Sequence, residues 1–191
     1  MRIPLFFALA ALLTASCQTQ KSPHQTAGLA PTPVAVTGAA RFPEPVEFSP
    51  VGHPAGSCLS EEEIAAEQAM RLHTALMVTG LTCHGFYREP TLFGQYQTFT
   101  TDHDDRLGGA KRTMGAFLFR YEGGSRDRLL DTYQTRLANA ESRLLADASA
   151  PTYCRLRRDQ FTAAMDFTAD DFESYVTLMV ERHRARYRVC R

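Results

Sequence analysis

Tryptophan is absent from these 191 residues, lysine occurs twice against 19 arginines, and no apolar run approaches the roughly twenty residues of a membrane span. The missing tryptophan does not deprive the chain of a core, because 12 Phe and 7 Tyr supply aromatic bulk. An excess of either charge is also missing. Basic and acidic residues balance at 21 each, so nothing in the net charge points to nucleic acid or to a bulk anionic surface. The arginine bias reads as genomic composition. Catalytic signatures are lacking too: there is no GxSxG, HExxH, CxxC or phosphate-cradling glycine loop, so no cofactor is expected. Enzymatic activity is the less favoured reading, although a glycan-cleaving carboxylate needs no local motif.

What is present begins at the N-terminus. Arg2 supplies a minimal positive region, and Ile3 to Leu13 gives about eleven apolar residues, the length of a signal-peptide core. The small residues Thr14-Ala15-Ser16 then run into Cys17. This resembles the lipobox of bacterial lipoprotein precursors, with Thr14 where that family usually has Leu and Leu13 one place early. The resemblance implies residues 1–16 as a signal peptide and Cys17 as the lipidation site. Ordinary cleavage after Ala15, leaving Cys17 as a thiol, is the rival reading. Cysteine parity favours the lipid: an exported chain with five cysteines has an odd one, and acylating Cys17 leaves four that can pair. Gln18 follows where an Asp in that family often signals inner-membrane retention. The expected location is therefore the outer membrane, with the protein facing the periplasm. Two or more acyl chains at roughly 0.8 kcal/mol per buried CH₂ would anchor it firmly.

Residues 17–57 carry seven of the ten prolines, as in APTPVAVTGAARFPEPVEFSPVGHPAG. Proline donates no N–H and fixes its own φ, so this stretch is expected to be an extended, lipid-anchored tether. From Cys58 to Arg191 the composition is that of one globular domain, and its periodicities are helical. Ser60-Glu61-Glu62-Glu63 fits a capping box ahead of an apolar stripe through Ala65, Ala69, Leu72, Leu76, Thr79 and Cys83. Further helices are expected after Pro90, over Ala110 to Tyr121 between two Gly-Gly breaks, over Arg126 to Ala146, and from Pro151 to Met165. The last is capped by Thr168 and Asp171 and runs to Cys190. The expected fold is all-α: a single-domain bundle of five or six helices stapled by two disulfides.

The segments Leu72 to Val78 running into Leu81-Thr82-Cys83, Thr135 to Ser142, and Tyr153-Cys154 resemble a group of uncharacterised small exported proteobacterial proteins. The resemblance covers about half the chain. It implies a helical exported domain with Cys83 joined to Cys154, and it brings no activity.

The residues themselves leave the connectivity open, since Cys58, Cys83, Cys154 and Cys190 allow three pairings. Joining Cys58 to Cys190 and Cys83 to Cys154 would tie the domain ends together and staple the middle, each closure contributing roughly 4 to 5 kcal/mol at most by loop entropy. A redox pair or zinc site would favour closer spacing. Asp102-His103-Asp104-Asp105 is the densest set of potential metal ligands. Four adjacent helical residues cannot converge on one ion, so a charged helix end is expected and no metal. His183, on the apolar face of the last helix, and His73 are read as core histidines before acid–base groups. Arg182 with Arg186 and Arg184 with Arg188 would form two i,i+4 rows flanking Tyr187. Their bland role is to complement the helix dipole, and their functional one is to bind an anionic envelope polymer.

These readings lead to a membrane-anchored envelope lipoprotein whose non-catalytic helical domain binds a protein partner or an envelope component. An exported hydrolase acting on cell-wall material is the alternative.

Overall fold

The computed structural model describes Phe42 and residues 51–190. The expected signal peptide, Cys17 and most of the proline-rich stretch lie outside the described residues. Seven α-helices stand among those described: α1 (Glu61–Thr82), α2 (His84–Tyr87), α3 (Leu92–Asp102), α4 (Asp104–Glu122), α5 (Arg126–Ala148), α6 (Ala150–Met165) and α7 (Ala169–His183), followed by a 3-10 turn over Arg184–Arg186. No strand occurs among these residues, and the all-α, single-domain expectation holds.

Helix α1 starts where the capping box requires. The Ser60 hydroxyl accepts from the Glu63 amide at 3.2 Å and the Glu63 carboxylate accepts from the Ser60 amide at 2.8 Å. Its surroundings differ from the expected single stripe, because α3, α4, α5, α6 and α7 all pack against it. Ile64, Leu72, Ala75 and Leu76 are buried as expected of a core face, but so are Glu67, Gln68 and Arg71. A central helix has no solvent side on which to put its polar residues, so these must find partners inside. Gly80 lets α3 lie close: a Cβ there would meet the Tyr96 Cβ at 3.4 Å and the Phe93 Cα at 3.5 Å.

Two helix boundaries depart from the sequence reading. Gly108 and Gly109 do not break the chain but sit inside α4, which begins at Asp104. Glycine in a helix costs about 1 kcal/mol, and burying Leu107 and Ala110 on the same helix outweighs it. At the other end α7 stops at His183 rather than at Cys190. The chain leaves the 3-10 turn extended and pairs with Leu59: the Leu59 amide donates to the Arg188 carbonyl at 2.9 Å and the Cys190 amide to the Leu59 carbonyl at 3.0 Å. Helical continuation would carry Cys190 away from Cys58, to which it is bonded. The two i,i+4 arginine rows therefore do not form.

Both disulfides are present, Cys58–Cys190 and Cys83–Cys154, the latter between the end of α1 and the first turn of α6. Packing also begins before Cys58. Val51 and Ser57 are buried, and the Phe42 ring packs edge-on against Phe167 and Tyr175 at 5.4 and 5.8 Å. The boundary expected at Cys58 thus falls inside the packed region, because apolar and aromatic residues among the prolines have a core to join.

The bridges close 132 and 71 residues. Loop length enters as a logarithm, so removing them in turn (Cys58→Ala with Cys190→Ala, then Cys83→Ala with Cys154→Ala) should cost about 2–5 kcal/mol each and differ by only about 0.5 kcal/mol on this ground. Urea unfolding followed by far-UV circular dichroism measures both losses.

Candidate functional site

A cavity of about 380 Å³ opens between the segment before α1, α1 itself and the turn after α7. Val51 and His53 form one wall, Gln68 and Arg71 the floor, and His183, Arg186 and Tyr187 the other wall. The walls consist of chain without regular structure or at its end, whereas the floor belongs to the most buried helix.

Beneath the floor lies Glu67, with a side chain 0 % exposed. Its carboxylate accepts from His53 Nε2 at 2.6 Å and from Arg71 Nε at 2.8 Å. Burial alone would raise its pKa, but the His53 hydrogen bond and the Arg71 guanidinium outweigh burial and hold it below the usual carboxylate value. Arg71 is affected in the complementary way: burial favours its neutral form, and Glu67 more than compensates. An ionised carboxylate only accepts, so His53 Nε2 carries a proton and donates it. His53 is fixed further by rings, parallel to Tyr133 at 6.5 Å and tilted against Tyr187 at 5.7 Å.

Gln68 ties the floor to the wall that follows α7. Its Nε2 donates to the Tyr187 hydroxyl at 2.6 Å, and its Oε1 lies 3.1 Å from His183 Nδ1. Burial, then the nearby Glu67 charge, pushes the Tyr187 phenol up, and the same two causes raise Tyr133. Tyr133, 1 % exposed, sets its hydroxyl beside the Glu67 carboxylate without a hydrogen bond of ordinary geometry among the described residues.

The arginines expected to act together are dispersed. Arg184 pairs with Glu61 at 2.7 Å across a well-exposed gap, and Arg188 donates to the Gly56 carbonyl at 3.2 Å. Arg182 remains on α7, and Arg186 alone of the four lines the cavity. His183 is buried, as a core histidine should be, and it also borders the cavity. His73 accepts from or donates to the Tyr96 hydroxyl at 2.9 Å, and burial with the Lys111 charge lowers its pKa to about 4. In the Asp102 to Asp105 stretch only His103 turns inward, its ring stacked on Phe172 at 4.9 Å while the three aspartates stay at the surface. No group of three potential metal ligands converges among the described residues.

Sequence reasoning missed His53, Glu67, Gln68 and Arg71. Glu67 and Arg71 stand at i,i+4, a visible spacing that reads as a surface ion pair until α1 is known to be enclosed. His53 lay hidden in proline-rich composition.

Other concavities offer less. A wider groove of about 670 Å³ carries Glu89 and Asp166 on its rim. Glu89 accepts from the Thr91 hydroxyl and amide, which lower its pKa. That direction is the opposite of what a general acid needs.

Replacing Glu67 by Gln should destabilise the fold by about 3–5 kcal/mol, since it leaves the buried Arg71 charge uncompensated, while Glu67→Leu combined with Arg71→Met should recover most of that loss. Equilibrium urea unfolding of both variants beside the wild type checks it. For His73 the unfolded chain takes up a proton near the ordinary value of 6.5 and the native state only near 4. Its contribution is therefore intact above about pH 6.5 and falls as pH drops towards 4, by at most about 3 kcal/mol. The His73→Gln variant should show a shallower stability loss over that window.

Comparisons of the chain with protein-family models, curated proteins and solved structures give no match, so the functional reading rests on its own atoms.

Proposed function

We propose that the chain is an exported lipoprotein, anchored through Cys17 to the outer membrane and facing the periplasm, whose helical domain is a non-catalytic module binding a protein partner or an anionic envelope component. The observation that carries the binding role is the cavity, where buried polar groups and two arginines meet between the segment before α1 and the turn after α7. Two disulfides within one domain fit an oxidising compartment. With all four domain cysteines bonded, Cys17 is the one cysteine left for acylation. Of the four tail arginines offered as anion receptors, Arg182, Arg184, Arg186 and Arg188, the role passes chiefly to Arg186.

One observation favours the hydrolase alternative. A histidine whose Nε2 is held by a buried carboxylate is the arrangement of a general base, and His53 borders the cavity. No serine, threonine or cysteine lines that cavity among the described residues, so such an enzyme would have to activate water. The guanidiniums serve binding without further parts, which makes binding the preferred reading.

Membrane fractionation of the wild type beside Cys17→Ser tests the anchor, with wild type expected in the membrane fraction and the variant released to the soluble periplasm. Unchanged partitioning counts against it. Crosslinking in membranes followed by co-purification should recover the same envelope component with Cys17→Ala spheroplast controls showing reduced yield.

A further inference from the structure

We infer that the cavity is a binding site for a small organic anion, its carboxylate or phosphate head received by Arg71 and Arg186 and its body held against Tyr187, His53 and Val51. This rests on the reading of the domain as a binding module and names the ligand class for its cavity.

The charge lining argues for an anion. Arg71 and Arg186 both border the cavity, whereas no carboxylate lines it among the described residues. The one acid of the cluster, Glu67, lies wholly buried behind the floor and is already engaged by His53 and Arg71. That engagement orients the Arg71 guanidinium before any ligand arrives. A planar, fixed guanidinium matches the oxygens of a carboxylate or phosphate, and its ordering entropy has been lost on folding rather than on binding. Arg186, exposed on the 3-10 turn, is the second guanidinium, brought to the rim by the Cys58–Cys190 closure.

Size and lining argue for a small molecule. About 380 Å³ falls at the lower end of ligand pockets, and ring faces with a few placed polar groups are the usual lining of such sites. A continuous polymer would need an open channel. Nor does the polar cluster have the marks of scaffolding, because the same molecule contains a purely structural counterpart. The Glu141–Arg157 pair joins α5 to α6 with Arg157 1 % exposed, and it borders none of the cavities described here.

Isothermal titration calorimetry of the full chain in detergent tests this with phenyl phosphate, benzoate, the neutral benzamide and a glycerol-phosphate polymer. The two small anions should bind at least tenfold more tightly than benzamide. The Arg186→Gln variant, at an exposed position, should weaken them about tenfold, and Arg136→Gln, outside the cavity, should leave them unchanged. Equal binding of benzamide, an unaltered affinity in Arg186→Gln, or no binding of either anion at millimolar concentration overturns the inference. Tighter binding of the polymer than of phenyl phosphate also overturns it, moving recognition from the cavity to a surface. If the small anions fail while a crosslinked envelope component persists, the cavity assignment falls and the binding-module reading stands. If the anions bind and no component crosslinks, the reverse holds.

Discussion

The covalent closure of Cys58 on Cys190 is the constraint from which the cavity follows. Little of either wall is helix body: Val51 and His53 precede α1, His183 is the last residue of α7, and Arg186 and Tyr187 follow it. Segments of this kind ordinarily fray, since they bury little and satisfy few backbone groups. Here the disulfide, two backbone hydrogen bonds to Leu59 and the Arg188 contact with Gly56 hold them side by side. Once the ends are joined, the polar residues of α1 acquire a roof, and Gln68 can reach Tyr187 and His183 together.

Two buried Glu–Arg pairs in one small domain show how similar chemistry serves different ends. Glu141 receives both Nε and a terminal nitrogen of Arg157 at 2.8 Å, and the chain continues through Gln160 to the Tyr175 hydroxyl. It links three helices and fixes their register, the role for which buried polar groups are best suited when they confer specificity. Glu67 and Arg71 lie on one helix and fix no register between helices. Their exterior partner is His53, a residue from a segment that the helix would not otherwise hold.

The elements were legible in the sequence wherever local chemistry settled them. The capping boxes at Ser60 and Thr168, the stripe of Tyr133, Leu137 and Ala140, and the helix opened by Pro151 all stand where periodicity and caps place them. What was not legible depends on partners distant in sequence. Gly108-Gly109 reads as a break because propensity is local and the packing of α4 on α1 is not. The tail reads as helix to Cys190 because its arginines and Tyr187 keep the right spacing, while the disulfide that straightens it joins residues 132 apart. The site was least legible of all. Its floor looks like an exposed ion pair and its wall looks like a tether, and only the enclosure of α1 on every side converts both into a cavity.

Tyr133 carries the argument one step further. A buried hydroxyl that meets its neighbouring carboxylate without good hydrogen-bond geometry recovers little of its desolvation cost of about 1–3 kcal/mol, and phenylalanine would fill nearly the same space without that cost. Beside it Glu67 and Arg71 add the desolvation of two charges, which a pair of well-packed apolar side chains would avoid. A domain already stapled by two long-range disulfides has no need of such expensive interior chemistry for stability. The other buried pair, Glu141–Arg157, offsets the same cost by joining two helices, whereas Glu67, Arg71 and the Tyr133 hydroxyl gather beside an opening, and that difference locates the part of the molecule organised for something other than folding.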